Sequence, residues 1–132
     1  MQGKINNKGA SDMKIAVSTQ GQDLDAVLEP RFGRAAGFII YDTEDEDFQY
    51  LSNAASVYAS QGAGIQTAQK VARSGAEAVI TGHVGPKAFA ALQAGDISVY
   101  LCQARRVRDA LQEFSQGRLE ATAGADKGGH WQ

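Results

Sequence analysis

The sequence predicts an α/β domain: a mixed five-stranded sheet in the order 3-2-1-4-5, with the second strand antiparallel and three helices flanking it. Two observations predict it. The second half of the chain repeats a short apolar run followed by a helical pattern, the mark of βα units joined by right-handed crossovers. The first half holds two apolar runs around an acidic turn, the mark of a hairpin. Strands one and three, both antiparallel to strand two, then point the same way as strands four and five.

Each element has its own signal. Lys14–Ser18, KIAVS, is a β-branched apolar strand. Residues 19–37 form a long loop containing PRFGR. Phe38–Asp42, FIIYD, is the second strand, and the turn TEDED leads into Phe48–Leu51, the third. SNAASVYASQGAG follows as a loop; over 52–64 its length, small residues and missing caps predict mobility. A helix is predicted over Ile65–Ser74, with Ile65, Ala68 and Ala72 on one face and Gly75 at the C′ position. Ala78–Thr81, AVIT, is strand four. Helix two, Pro86–Ala94, opens with Pro at the favoured first position. Ser98–Leu101, SVYL, is strand five. Helix three spans Val107–Gln116, with Val107, Leu111 and Phe114 on one stripe and Gly117 closing it. This order matches a ribonuclease-H-like topology.

Composition bounds the rest. A chain of 132 residues fits one domain, and 43% hydrophobic residues can form a modest core. A net charge of −2 gives no pull toward nucleic acid or a membrane surface. No apolar run approaches the roughly 18 residues of a membrane span. The polar start MQGKINNKGASD is no signal peptide, and Met13 would make a natural start. Residues 1–12 therefore read as a disordered leader or tag, 13–120 as the folded domain, and 121–132 as a flexible tail. The single cysteine, Cys102, cannot form an internal disulfide and agrees with a reducing cytoplasm. A cytoplasmic monomer is expected.

In such a sheet, residues 19–37, 52–64, 82–85 and 102–106 emerge at one edge, where open α/β sheets bind ligands near the switch point. That edge would collect Arg31 and Arg34 of PRFGR, Asn53, Gly62 and Gly64 before helix one, Gly82, His83 and Gly85 before helix two, and Arg105, Arg106 and Arg108 after Cys102. Three helix N-termini would add free backbone N–H groups and partial positive charge. Lys87 sits where a cation opposes the helix dipole, a cost a bound anion would offset. The pattern is an anion-receptive cleft on a mildly acidic protein.

Each signal has a plainer reading. His83 could be an exposed loop residue or a cap, Cys102 a small buried hydrophobe, and the arginines a solvated helix start. Phe32 could plug the core whether or not PRFGR binds a ligand. Asn53 could cap a helix or contact a ligand, and His130 could be a metal ligand. Glu44–Asp47 reads as a solvated turn. The chain lacks the Walker, GxGxxG, CxxC and HExxH patterns. Asp23, Asp25 and Asp42 are too few and too scattered for the carboxylate cluster of a two-metal nuclease. The residues argue for binding rather than turnover.

Three stretches then look familiar: MKIAVSTQGQDLDAVLEPRFGRAAGFIIYD, SNAASVYASQGAGIQTAQKVARSGAEAVITGHVGPKAFAALQAGDISVYL and VRDALQEFSQGRL. They resemble the dinitrogenase iron–molybdenum cofactor biosynthesis family, the NifX, NafY and NifB C-terminal group, over about residues 13–120. The strand-one start, the RFGR loop, the GAG before helix one and the TGHVGPKA turn carry the likeness. Within the family the chain looks most like the single-domain, orange-protein type. The resemblance implies a ribonuclease-H-like fold, no catalytic activity, and binding of an anionic metal–sulfur cluster. That cargo would be a molybdenum–copper sulfide cluster or a precursor of the iron–molybdenum cofactor. It also implies contacts from His83, Arg31 and Arg34, with Cys102 and His83 as candidate metal ligands, and a partner such as an ATPase or a cluster acceptor. Two rivals remain: a divergent metal-dependent nuclease or phosphotransferase, and a cofactor-free interaction module with an apolar patch near Val57 and Tyr58.

Overall fold

A computed structural model of the chain describes residues 13–57 and 62–122. The expected leader, residues 58–61 with Tyr58, the side chain of Val57, and the expected tail beyond Thr122 with His130 lie outside the described residues.

Five strands, β1 (Lys14–Thr19), β2 (Gly37–Asp42), β3 (Phe48–Ser52), β4 (Ala78–Thr81) and β5 (Ser98–Leu101), form one sheet in the order β3-β2-β1-β4-β5. β2 runs antiparallel to β1 and β3, whereas β1, β4 and β5 are parallel. This is the sheet the sequence predicts. The helices are α1 (Ala54–Val57), α2 (Ala63–Arg73), α3 (Pro86–Ala94) and α4 (Val107–Ser115), and Phe32–Arg34 is a 3-10 turn.

The central strands carry apolar runs, IAV in β1 and AVI in β4, as strands covered on both faces do. Alternation along β1 sends Ala16 to one core cluster and Ile15 and Val17 to the other. The first cluster packs Phe38, Val79 and Val99 against Ala68 and Val71 of α2 and Ala88, Phe89 and Leu92 of α3. The second packs Ile39, Ile80 and Cys102 against Val107, Ala110 and Leu111 of α4. α2 and α3 thus share one face, and α4 lies alone on the other.

Two local expectations shift. α2 starts at Ala63, two residues ahead of Ile65, because Gly62 adopts φ 76° and turns the chain straight into the helix. Its buried stripe is Thr67, Ala68 and Val71, while Ile65 and Ala72 sit at the margin. α1, a single turn, was not expected. The predicted stops hold: Gly75 and Gly117 follow α2 and α4 with φ of 90° and 74°. The acidic turn is solvent-exposed, with the Asp42 and Asp45 carboxylates accepting the Glu44 and Asp47 N–H groups. Among the described residues no helix is long and apolar enough to cross a membrane.

Candidate functional site

β1 and β4 end at Ser18–Thr19 and Thr81, the switch point where an open α/β sheet leaves a crevice. Here the chain fills that crevice with residues 28–31. Leu28 bridges to Thr19, and the Glu29 N–H donates to the Ser18 carbonyl at 2.9 Å. Ser18 Oγ lies 2.6 Å from the Glu29 carbonyl oxygen and 2.8 Å from Thr81 Oγ1. The Pro30 carbonyl accepts the Gly82 and His83 N–H groups at 3.0 and 2.6 Å, and the Phe32 N–H donates to the His83 carbonyl at 3.1 Å. Arg31 and His83 therefore pair as a parallel bridge. Glycine at 82 permits this approach, since a Cβ there would lie 2.8 Å from the Pro30 oxygen.

Phe32 then plugs the core at 1% exposure, its ring 5.4 Å from that of Phe38. The 3-10 turn rests on the start of α2: a Cβ on Gly33 would touch the Gly64 Cα at 3.4 Å, and one on Gly64 the Ala88 Cβ at 3.2 Å. The RFGR turn, the first turn of α2 and the first turn of α3 thus meet. Among the described residues neither helix has a side-chain cap; its N-cap is Gly62 or Gly85. The N–H groups of Ala63, Gly64, Ile65, Lys87 and Ala88 precede the first helical bonds, which reach the Gly62 and Gly85 carbonyls. Arg31, His83, Arg34 and Lys87 are exposed around this rim.

The remaining sequence candidates sit elsewhere. Asn53 is fully buried, its Nδ2 donating to the Ala35 carbonyl at 3.0 Å and to Thr67 Oγ1 at 3.1 Å. Its amide ties the PRFGR loop to α2. Arg105 and Arg106 lie at the start of α4, where a strap over residues 24–28 closes the helix end. The Leu24 and Ala26 carbonyls accept the Arg108 and Val107 N–H groups at 2.8 and 2.9 Å, and the Leu28 N–H donates to the Arg105 carbonyl at 3.0 Å. Arg106 Nη1 donates to the Asp25 carbonyl at 2.6 Å, and Arg108 Nε pairs with Asp25 Oδ1 at 2.8 Å. The hydrogen bond and charge of Arg108 hold the Asp25 carboxyl below the ordinary range.

Cys102 faces α4 at 5% exposure, accepting the Ala104 N–H and lying 3.8 Å from Glu113 Oε1. Burial pushes its thiol pKa up, and the Glu113 carboxylate adds to that. Metal ligation needs the thiolate, so this setting works against it. Among the described residues no three His, Cys, Asp or Glu side chains gather as a metal site.

The residue that sequence reasoning missed is Glu29, the only charged residue buried among the described residues. Its Oε2 accepts the Arg31 N–H at 3.0 Å and lies 3.5 Å from Arg31 Nε, while Oε1 accepts from Gln20 Nε2 at 3.1 Å. The available signal was an acid directly ahead of PRFGR.

Comparison with known proteins decides the family. The family model described as dinitrogenase iron-molybdenum cofactor matches residues 13–117, which include every element above. The chain belongs to this dinitrogenase iron–molybdenum cofactor family. The apo form of the orange protein from Desulfovibrio gigas is 46% identical and superposes with a TM-score of 0.85, over 87% of this chain and 97% of that one. A Thermotoga protein of the DUF35 family is 33% identical with a TM-score of 0.78, over 89% and 99% of the two chains. An uncharacterized protein of Methanocaldococcus jannaschii is 29% identical over 111 residues, 82% of this chain and 90% of that protein.

Proposed function

We propose that this member of the family binds and carries an anionic molybdenum-containing metal–sulfur cluster, of molybdenum–copper sulfide or cofactor-precursor type, and does not turn it over. The observation that carries the reading is the meeting of two uncapped helix N-termini, those of α2 and α3, beneath the RFGR turn. Orphan N–H groups and helix dipoles favour an anion. The donor set suits a sulfide-coated polyanion: arginine, lysine and backbone N–H groups surround the rim, and its metal-ligating candidate is His83. Gly62 and Gly85, where a Cβ would meet nothing within 4 Å, leave the two helix starts open to a bulky ligand, whereas Gly82 serves the close approach of Pro30 and Gly64 that of Ala88. The domain over residues 13–120 is the carrier. Its partner is the protein that accepts the cluster or an ATPase that drives transfer, in the cytoplasm.

Anaerobic titration with tetrathiomolybdate and Cu(I) tests this. The expected result is a saturating charge-transfer absorbance that weakens about tenfold in affinity in His83→Ala. No absorbance in the wild-type protein, or one indifferent to the rim substitutions, removes the reading.

A further inference from the structure

Glu29 poses a problem for an anion site: a carboxylate lies buried directly under its rim. A buried charge is retained only when paired and hydrogen-bonded. Here its partners are Gln20 Nε2, the Arg31 N–H and the Arg31 guanidinium. The Glu29 side chain is 9% exposed and the Arg31 side chain 68%. The pair is therefore layered, carboxylate inside and guanidinium outside.

We infer that Glu29 is a positioning residue for the cluster: it fixes Arg31 beside His83 so that the guanidinium meets the incoming anion already oriented. This rests on the proposed cluster-binding function. The main chain of Glu29 anchors the 28–31 segment into the sheet through Ser18. Its side chain then holds both the backbone N–H and the Nε of the next residue but one. An exposed arginine otherwise has about 2 kcal/mol of rotamer freedom to lose on binding. With Nε directed at Glu29, its four Nη–H donors remain for a ligand. The carboxylate's own repulsion of the anion is the smaller effect, because its charge is offset by the guanidinium paired with it.

The test is a double-mutant cycle read by tetrathiomolybdate and Cu(I) titration, with a thermal melt of each apo protein. Glu29→Gln keeps the shape and a carbonyl acceptor but removes the charge that orients the guanidinium. It should weaken binding by about tenfold, and that loss should vanish in the Arg31→Ala background. A merely structural Glu29 would lower the melting temperature and shift affinity equally with or without Arg31, which overturns the inference. Tighter binding in Glu29→Gln also overturns it, since repulsion would then be dominant. If Glu29→Gln unfolds, Arg31→Lys gives a second arm: it keeps the charge, loses the Nε contact, and should reproduce the weakened binding. Absence of binding by the wild-type protein removes the cluster reading itself. Binding with no coupling between the two residues removes only the role of Glu29.

Discussion

Helices α2, α3 and α4 all begin at the carboxyl edge of the sheet, but their first turns end differently. On one face, α2 and α3 start from glycines with no side-chain cap among the described residues, and their first turns meet beside the RFGR turn. On the other face, α4 starts from an arginine that also lacks a side-chain cap, yet the strap over residues 24–28 supplies backbone carbonyls in its place. The two halves of the β1–β2 loop act differently. Residues 24–28 close the α4 end, and residues 31–34 lean over the α2 end without bonding its N–H groups. Of these three positive helix ends, the one at α4 is closed by backbone carbonyls.

The largest effect that bears on this contrast is expected at the hinge between the two halves. In Gly82→Ala the new Cβ would sit 2.8 Å from the Pro30 oxygen and 2.9 Å from the Pro30 Cα, both backbone atoms that cannot swing away. A loss of about 3 kcal/mol is expected, read as a drop of about 10–20 °C in melting temperature. Gly85→Ala meets nothing within 4 Å and sits at φ −74°, so it should change stability by less than about 1 kcal/mol. Equal melts for the two variants would mean that Pro30 does not hold the GHVG turn.

Asn53→Ala comes next. It leaves the Ala35 carbonyl and Thr67 hydroxyl without their buried partner, at a cost of about 2 kcal/mol. The loss should appear in a chemical melt, and ligand affinity of the folded fraction should stay unchanged. A variant of full stability but altered affinity would return Asn53 to the set of ligand contacts.

A smaller effect separates the arginines. Arg34→Ala removes a cation from the open rim and should weaken anion binding by roughly tenfold. Arg106→Ala removes one engaged with Asp25 and should weaken it by less than about twofold. Reversed magnitudes in the same titration would relocate the site to the α4 end.

Much of this contrast was legible in the sequence and part was not. The strands, the parallel order and the glycine stops followed from local periodicity and turn chemistry, which act over a few residues. The convergence of PRFGR and GHVG followed from topology. Sequence alone gave no way to see that residues 24–28 would fold against 105–108. That contact joins segments far apart in the chain and is made largely by main-chain groups, which carry no residue signature; the Asp25 pairings with Arg106 and Arg108 add to it. Arg105 and Arg106 were grouped with the rim for that reason. Glu29 goes unnoticed and Asn53 stays open for a related reason: whether a polar side chain turns inward depends on partners such as Arg31 and Thr67, which only the folded loop supplies.

The smallest expected effect tests the strap itself. Asp25 is fully exposed, and its carboxyl is held below the ordinary value first by the hydrogen bond from Arg108 and then by that residue's charge. A depressed folded value means the pair supports the strap above the unfolded carboxylate pKa of about 3.9 and loses that support as pH falls through the folded value. At neutral pH the contact is therefore present and acid removes it. NMR titration should show the Asp25 midpoint below the unfolded value of about 3.9, and Arg108→Ala should bring it back toward that value. Amide exchange at the Arg108 N–H, which donates to Leu24, should quicken in Asp25→Asn while the α2 amides stay unchanged. Faster exchange at α2 as well would show that the two helix ends are coupled through the β1–β2 loop and not set independently.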